Sequence, residues 1–345
     1  MIFNVSTNGS PAFSSKIIII GANTMHVIEA SEVHQTMNFE ELIPAIEQTF
    51  AGTHGMPQRN VFSLQEGSDH GEGFAVLPAW NSKAIGVKAF TYFPKNAPKG
   101  LDSLYSKILM FKRETGEPLA LVDGSSVTYW RTAAVSALGS QYLSRKNASR
   151  LLVCGTGNLA SYMALAHATV RPITHIDICG RSLEKAEKVA EQVRKQRPEI
   201  TVVAVTDIES ATRQADIISC ATGAGEPLIL GEWVKPGTHC DFVGNHSPKR
   251  RECDTDLITQ ASVFVDSRLN VLNEAGELLI PIEEGLFSKD DVKAELTELA
   301  RGQHNGRQTE EEITVFKTVG TALSDLAAAC LVVEKLTNKS KSTRS

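Results

Sequence analysis

The middle of the chain alternates short segments that are apolar throughout with longer segments of mixed polarity. Six apolar segments are predicted as strands, at residues 151–155, 175–180, 201–205, 216–222, 238–244 and 262–267. Helices are predicted between them, at about residues 158–170, 183–196 and 208–214. Strands without polar alternation, separated by helices, are typical of a parallel sheet covered on both faces. The pattern therefore predicts an α/β fold with a doubly wound parallel sheet.

The chain before this region has a different pattern. Four β-rich segments, at residues 74–80, 84–93, 106–112 and 118–124, follow a helix predicted near residues 39–50. Turns rich in glycine and proline separate these segments, which indicates a second, mixed sheet. A long helix is predicted to begin near Tyr129, and a last helix spans about residues 322–336. We predict a discontinuous mixed α+β domain formed by residues 1–128 and 318–345, and an α/β domain formed by residues 129–317.

Length and composition fit two domains of an ordinary globular protein. The chain has 345 residues, of which 42% are hydrophobic and 22% charged, and domains usually contain about 100–200 residues. The net charge of −5 offers no basic face for nucleic acid. The six cysteines have no CxxC or metal-ligand spacing, which favours a reducing compartment. Because the N-terminus lacks a signal-peptide pattern and residues 17–20 are too few to cross a membrane, we expect a cytoplasmic protein without metal, membrane or nucleic-acid partners.

A glycine-rich segment, CGTGNLA, follows the first of the parallel strands and begins a helix. In this context Gly155 permits a tight turn, Gly157 lets the backbone approach a pyrophosphate, and Ala160 lets helix and strand pack closely. Free N–H groups at the start of the helix can then bind the anion. The sequence thus predicts a Rossmann-type dinucleotide-binding domain with these cofactor-binding residues: Gly155, Thr156, Gly157, Asn158, Leu159 and Ala160.

The end of the second parallel strand distinguishes between NAD and NADP. NAD-specific sites usually have an acidic residue there that binds the ribose hydroxyls. This chain has Arg181 and Ser182 instead, and a guanidinium beside a hydroxyl suits a 2′-phosphate. Asp177 lies inside the strand, before the position of the ribose. NADPH is therefore the predicted cofactor, and NADH is the alternative if Arg181 only solvates its loop.

Three basic residues before the parallel strands lie in unusual surroundings. Arg59 lies in HGMPQRNVF, Lys88 lies in the apolar strand AIGVKAFTYF, and Arg131 is expected at the start of the long helix. A lysine in a strand is costly to bury without a partner, and a cation at a helix N-terminus opposes the helix dipole. An anion such as a substrate carboxylate between these residues would stabilise both Lys88 and Arg131. Alternatively, Lys88 faces solvent and Arg131 pairs with a local acid.

Several segments together resemble one family, the ornithine cyclodeaminase/μ-crystallin family. The motifs that match, in order, are GVKAFTYFPKN, TGEPLALVDG, VTYWRTAAVSALGSQYL, VCGTGNLA, EPLILGEWVKPGTH and TVFKTVGTALSDLAAA, and the likeness runs from about residue 59 to about residue 333. The family contains ornithine cyclodeaminases, alanine dehydrogenases and reductases of cyclic imino acids such as Δ1-pyrroline-2-carboxylate. It also contains a vertebrate NADPH-binding crystallin that binds thyroid hormone.

The resemblance implies a homodimer whose first domain supplies the subunit contact and the substrate pocket. The Rossmann domain would place a nicotinamide against that pocket. Arg59, Lys88 and Arg131 match the family's carboxylate-binding cations. Further positions match residues near the bound cofactor: Thr132, Thr222, Val243, Lys317 and Gly320.

His246 stands where this chain departs from part of the family. In the cyclodeaminases and archaeal alanine dehydrogenases the motif resembles VGxDxPxxxEL; aligned on Val243, Gly244, Pro248 and Glu252, its aspartate falls on His246. A cyclodeaminase needs a group that accepts a proton from a substrate amine, and a carboxylate suits that task. An imidazole can instead donate to the nitrogen of an imine. Alternatively, His246 only caps the turn before Pro248.

The predicted function is therefore NADPH-dependent reduction of a cyclic α-imino acid, either Δ1-pyrroline-2-carboxylate to L-proline or Δ1-piperideine-2-carboxylate to L-pipecolate. Arg59, Lys88 and Arg131 would bind the substrate carboxylate. His246 would protonate or orient the ring nitrogen, with Lys88 as the alternative proton donor. The rival functions are ornithine cyclodeamination or alanine oxidation on the same scaffold and, from another class, a binding protein that holds NADPH and a hydrophobic ligand.

Overall fold

A computed structural model describes residues 17–20, 23–64 and 72–342. Eight strands form a first sheet: β1 (Ile17–Ile20), β2 (Asn23–Ile28), β3 (His54–Gly55), β4 (Asn60–Ser63), β5 (Gly73–Asn81), β6 (Ala84–Tyr92), β7 (Leu104–Lys112) and β8 (Pro118–Asp123). Their order is β1-β2-β8-β7-β6-β5-β3, and β4 also pairs with β5. Neighbouring strands are antiparallel except β2 and β8. The predicted mixed sheet is confirmed.

A second sheet of eight strands is parallel throughout the described residues. Its strands are β9 (Arg150–Cys154), β10 (His175–Cys179), β11 (Thr201–Val205), β12 (Ile217–Cys220), β13 (His239–Phe242), β14 (Ser262–Val265), β15 (Ala294–Glu295) and β16 (Thr314–Lys317). The order β11-β10-β9-β12-β13-β16-β14-β15 reverses direction between β9 and β12. This confirms the doubly wound fold, in which ligands bind at the reversal point.

The helices cover both sheets. They are α1 (Ala30–Thr36), α2 (Phe39–Ala51), α3 (Gly124–Leu143), α4 (Ala160–Val170), α5 (Leu183–Gln196), α6 (Ile208–Gln214), α7 (Thr255–Gln260), α8 (Arg268–Glu274), α9 (Gly276–Glu283), α10 (Leu296–Ala300) and α11 (Ala322–Ser342). Helix α11 packs on β5 and β6, and α3 contacts β7 of the first sheet as well as β13 and β16 of the second. None of the helices in these ranges is long and apolar enough to cross a bilayer.

Burial alternates along the strands of the first sheet, so each strand has an inner and an outer side. The inner side of β6 carries Ala84, Gly86 and Lys88, and Leu326 of α11 lies against Gly86. Lys88 is 5% exposed. The alternative in which Lys88 faces solvent is therefore wrong, because α11 covers the side of the sheet from which it projects.

Helix α3 begins at Gly124, five residues before the predicted start near Tyr129. The Asp123 side chain accepts a hydrogen bond from the backbone N–H of Ser126 at 2.9 Å and caps the helix. Arg131 is consequently the eighth residue of α3 and lies two turns inside it. The expectation that Arg131 stands at a helix start is wrong, so the helix dipole does not account for its surroundings.

The division into residues 1–128 with 318–345 and residues 129–317 stays a prediction. Every described strand of the first sheet precedes residue 128, and every strand of the second lies between residues 129 and 317. Helix α11, which follows the second sheet in sequence, returns to cover the first. Two strand systems therefore share one long helix, α3, at their boundary.

Candidate active site

Lys88, Arg131 and Asp325 form a buried cluster on the inner side of the first sheet. They lie on β6, α3 and α11 and are 5%, 8% and 1% exposed. The Lys88 ammonium donates to Asp325 Oδ1 at 2.9 Å and to Thr128 Oγ1 at 2.6 Å. Arg131 Nε donates to the same Asp325 oxygen at 2.9 Å. Elements distant in sequence thus bring two cations onto one carboxylate oxygen, and the acid is not local to Arg131.

Arg59, the third predicted cation, lies beside this cluster and pairs with another carboxylate. Its Nε donates to Glu274 Oε1 at 2.8 Å, its Nη2 donates to Glu274 Oε2, and its Nη1 donates to the Val319 carbonyl at 3.2 Å. The Arg59 charge also lowers the pKa of Lys88. The structure therefore brings the three cations together, and a carboxylate of the chain holds each arginine through its Nε.

Burial dominates the electrostatics of Lys88. It lowers the pKa of the ammonium to about 8, although the Asp325 carboxylate raises that pKa. Arg131 and Arg59 lower it further, because like charges disfavour the protonated form. Lys88 is therefore mostly protonated at pH 7, but its proton is more easily lost than that of an exposed lysine.

Asp266, just after β14 of the second sheet, is a third carboxylate near the arginines and is buried. Its Oδ2 accepts hydrogen bonds from the backbone N–H groups of Val319 at 3.2 Å and Gly320 at 2.8 Å. Burial raises the Asp266 pKa to about 6, while the Gly320 N–H and the Arg59 and Arg131 charges lower it. The segment between β16 and α11 is thereby held against the arginines, and Gly320, a predicted cofactor contact, lies against the Arg131 guanidinium.

His246 lies four residues after β13, near enough to Arg59 to feel its charge. Its side chain is exposed, but loss of water to the protein groups around it lowers its pKa below the ordinary 6.5, and the Arg59 and Lys317 charges lower it further. Glu274 opposes them. A pKa below 6.5 makes the imidazole mostly neutral at pH 7. It has no hydrogen-bond partner in the described part of the chain, so it is available to a ligand.

Buried carboxylates hold the loops that carry His246. Glu252 Oε1 accepts from the Thr222 N–H at 2.7 Å and from Thr222 Oγ1 at 2.8 Å, and Oε2 accepts from the Gly244 N–H at 2.7 Å. A Cβ on Gly244 would lie 1.9 Å from the Thr222 carbonyl oxygen, so these loops meet only because residue 244 is glycine. Burial raises the Glu252 pKa to about 7. The carboxyl ends of β12 and β13 are thus joined.

Lys317, the last residue of β16, belongs to this second network. Its Nζ donates to the Asn245 carbonyl at 2.7 Å and lies 3.1 Å from Glu277 Oε2. The side chains of Lys317 and Glu277 are both 0% exposed. Val243, another predicted cofactor contact, is partly buried and donates its N–H to the Cys220 carbonyl at 2.9 Å. Lys317 therefore anchors the residue before His246, and its ammonium is already occupied by protein groups.

The loop from Gly155 to Ala160 has the geometry of a phosphate site. Gly155 has φ of +131°, and a Cβ there would lie 2.8 Å from the Ala221 carbonyl oxygen. The backbone N–H groups of residues 157–159 donate to no backbone acceptor within the described ranges. Asn158 Nδ2 donates to the Tyr129 hydroxyl at 3.1 Å. These free N–H groups at the start of α4 fit a dinucleotide pyrophosphate. Thr132, another predicted cofactor contact, is buried on α3, one position after Arg131.

Arg181 and Ser182 lie at the end of β10, where the ribose would be. Arg181 is exposed, and Ser182 Oγ accepts from the Lys185 N–H at 3.3 Å, which caps α5. Asp177 instead lies inside β10, where it pairs with His175 at 2.9 Å and Arg150 at 3.4 Å. No acid therefore follows β10 directly, in agreement with the reasoning from sequence.

Sequence reasoning did not identify the acidic partners of the cations, Asp325, Glu274 and Asp266. One signal was available, since Asp325 is a single charge within the apolar helical segment ALSDLAAACLVV. A buried charge of that kind needs a partner. Within the described residues, no group of three or more His, Cys, Asp and Glu side chains is placed to hold a metal ion.

The chain belongs to the ornithine cyclodeaminase/mu-crystallin family, whose model matches residues 23–340. Among its relatives, a Δ1-pyrroline-2-carboxylate reductase of Colwellia psychrerythraea is 54% identical over 314 residues, covering 90% of this chain and 99% of that protein.

Solved structures of the same fold include enzymes with bound cofactor. The Thermococcus litoralis Δ1-pyrroline-2-carboxylate reductase in complex with NADH and L-proline has a TM-score of 0.86 at 32% identity, covering 91% of this chain and 98% of that chain. An archaeal alanine dehydrogenase dimer with bound NAD has a TM-score of 0.85 at 27% identity, covering 92% of this chain and 97% of that chain.

Proposed function

We propose that this nicotinamide-dependent oxidoreductase reduces a cyclic α-imino acid with NADPH. The substrates would be Δ1-pyrroline-2-carboxylate, giving L-proline, and the six-membered Δ1-piperideine-2-carboxylate, giving L-pipecolate. The observation that carries the proposal is the convergence of Lys88, Arg131 and Arg59 beside the segment that follows β16 of the parallel sheet. The reductases named among its relatives support it.

The chain's own residues would bind the substrate by its carboxylate. Lys88, Arg131 and Arg59 keep N–H groups that their internal partners do not use, and charge-assisted hydrogen bonds to a carboxylate are strong. The loop from Gly155 and the residue pair Arg181–Ser182 would hold the dinucleotide, which supplies a hydride when bound. Fixing both partners at once converts an encounter in solution into a reaction between oriented groups.

His246 would donate a hydrogen bond or a proton to the ring nitrogen of the substrate. Its loop is fixed by Glu252 and Lys317, and its imidazole has no competing partner among the described residues. A lowered pKa leaves it neutral at pH 7, so it can donate an N–H to the imine nitrogen and pass a proton from solvent. Lys88, whose pKa is about 8, is the alternative proton donor.

Dimerisation through the outer side of the first sheet is part of the proposal. Pairing across the strands places Val76, Val87, Ile85, Leu109 and Leu121 on this side. No helix covers it within the described residues, although a contiguous apolar face on a monomer is unusual. A second copy of the chain is the proposed occupant; the archaeal alanine dehydrogenase of the same fold is described as a dimer.

The six cysteines support placement in a reducing compartment, which we propose to be the cytoplasm. All six are buried free thiols, and burial raises the pKa of Cys220 and of Cys330 to about 12. Thiols of this kind behave as small apolar side chains.

Turnover is the direct test of the proposed function. We expect loss of NADPH absorbance with Δ1-pyrroline-2-carboxylate, formation of L-proline, and slower loss with NADH. Ammonia release from ornithine with NAD, or NADH formation from alanine, without reduction of the imino acid would contradict the proposal. Tight NADPH binding without turnover of any imino acid would favour a binding protein.

Replacing His246 by alanine should lower kcat about a hundredfold or more, because a positioned proton donor typically contributes that much. The matched control is His26→Ala, since His26 is an exposed histidine on β2. Steady-state rates at several pH values provide the readout. Unchanged turnover in His246→Ala, together with a loss of rate as the pH rises through about 8, would assign the role of proton donor to Lys88.

Replacing Arg181 by alanine should raise KM for NADPH about tenfold or more and leave KM for NADH nearly unchanged, since a hydrogen bond to a charged group contributes about 1.5–3 kcal/mol. Arg213→Ala is the control, because Arg213 is an exposed arginine of α6 that pairs with Glu209. An equal rise for both cofactors would contradict the preference for the 2′-phosphate.

The mass of the protein in solution tests the dimer. Sedimentation should give twice the chain mass of 37.4 kDa, and Val87→Glu should give the monomer, because a charge in a closed apolar interface is costly. Val203→Glu, at a position 40% exposed on β11, should leave the mass unchanged. A wild-type monomer at micromolar concentration would contradict the proposed contact.

A further inference from the structure

Asp325 is the fourth residue of α11 and is almost completely buried. Its Oδ1 accepts from both Lys88 Nζ and Arg131 Nε, each at 2.9 Å. Its Oδ2 is buried and has no hydrogen-bond partner in the part of the chain that the structure describes. One oxygen atom therefore fixes the spacing between an ammonium group and a guanidinium group.

The arrangement leaves a particular set of donors unused. A lysine has three N–H donors and an arginine has five. Thr128 and Asp325 accept two of those of Lys88, so one remains. Arg131 uses only its Nε within the described residues, so Nη1 and Nη2 remain. Because both cations donate to the same oxygen, the Lys88 ammonium and the Arg131 guanidinium are neighbours, and a carboxylate has two oxygens that can accept from their remaining donors.

We propose that Asp325 is a positioning residue, which directs the free N–H groups of Lys88 and Arg131 toward one substrate carboxylate and keeps the Lys88 ammonium protonated until that carboxylate binds. The inference rests on the proposed function for the identity of the substrate. Asp325 itself touches neither substrate nor cofactor in this role; it acts through the two cations.

The charges around Lys88 explain why a carboxylate is needed there. They come from three elements: Asp325 of α11, Arg131 of α3 and Arg59 of the loop before β4, with Asp266 and Glu274 behind the arginines. Burial and both arginines favour loss of the Lys88 proton, and Asp325 opposes them. Without the charge of Asp325, Lys88 would lose its proton at a lower pH, and a bound carboxylate would restore it.

The test measures protons taken up when a carboxylate binds. Pyrrole-2-carboxylate, a planar ring acid with no titrating group near neutral pH, is bound to the full-length protein with NADP+. Titration calorimetry in buffers of different ionisation enthalpy then gives the uptake between about pH 5 and 9.5. Because the ligand raises the Lys88 pKa from about 8, uptake by the wild type should be greatest at or just above pH 8.

Asp325→Asn keeps an acceptor oxygen but removes the charge. The pH of maximal proton uptake should therefore fall by about 1–3 units, because a close opposite charge usually shifts a pKa by that much. Lys88→Met should abolish the uptake above pH 8. Glu334→Gln is the matched control, because Glu334 is a carboxylate of the same helix that pairs with an exposed lysine, Lys83, at 2.8 Å. Its profile should equal that of the wild type.

A wild-type uptake profile in Asp325→Asn would overturn the inference. If that variant does not fold, Asp325→Glu replaces it: the charge is kept, so the uptake should stay near pH 8, but the moved oxygen should weaken binding about tenfold. Wild-type affinity in Asp325→Glu would also overturn the positioning role. Proton uptake as expected without reduction of any imino acid would overturn the proposed function and leave the role of Asp325 intact.

Discussion

Burying an ammonium group beside a guanidinium group is unfavourable, because both lose water and they repel each other. Asp325 offsets part of this cost by accepting from Lys88 and Arg131 with one oxygen, yet the Lys88 pKa still falls to about 8. This contact joins β6, α3 and α11 at the point where the three elements pack on one another. The site is therefore built into the core that joins the first sheet to its covering helices.

A second buried network holds the loops around His246. Glu252 joins the loop after β12 to the loop after β13, and Lys317 with Glu277 holds the residue before His246. Removing one partner of a buried ion pair typically costs about 3–5 kcal/mol, so these loops are held more firmly than exposed loops. In both networks the charged groups are paired inside the protein, so contacts with protein groups orient Lys88, Arg131 and Lys317.

The parallel sheet could be predicted because its strands are buried on both faces, so each is marked by a local apolar run such as residues 151–155. The start of α3 could not, because Gly124 and two serines resemble a turn and only the Asp123 cap marks a helix. The acidic partners were also missed. Arg59 and Glu274 are 215 positions apart, and Lys88 and Asp325 are 237 apart. No local pattern links such residues; only the fold brings them together.

The position of His246 has a consequence for the type of reaction. Arg59 and Lys317 lower the pKa of a histidine there, and by the same field they would stabilise a carboxylate as an anion. A carboxylate at this position would add a negative charge beside Glu274 and would be ready to accept a proton from an amine. A neutral imidazole adds no charge, so the positive field of the cations remains available to a substrate carboxylate. It also presents an N–H to the substrate nitrogen. That combination suits reduction of an imine better than deprotonation of an amine.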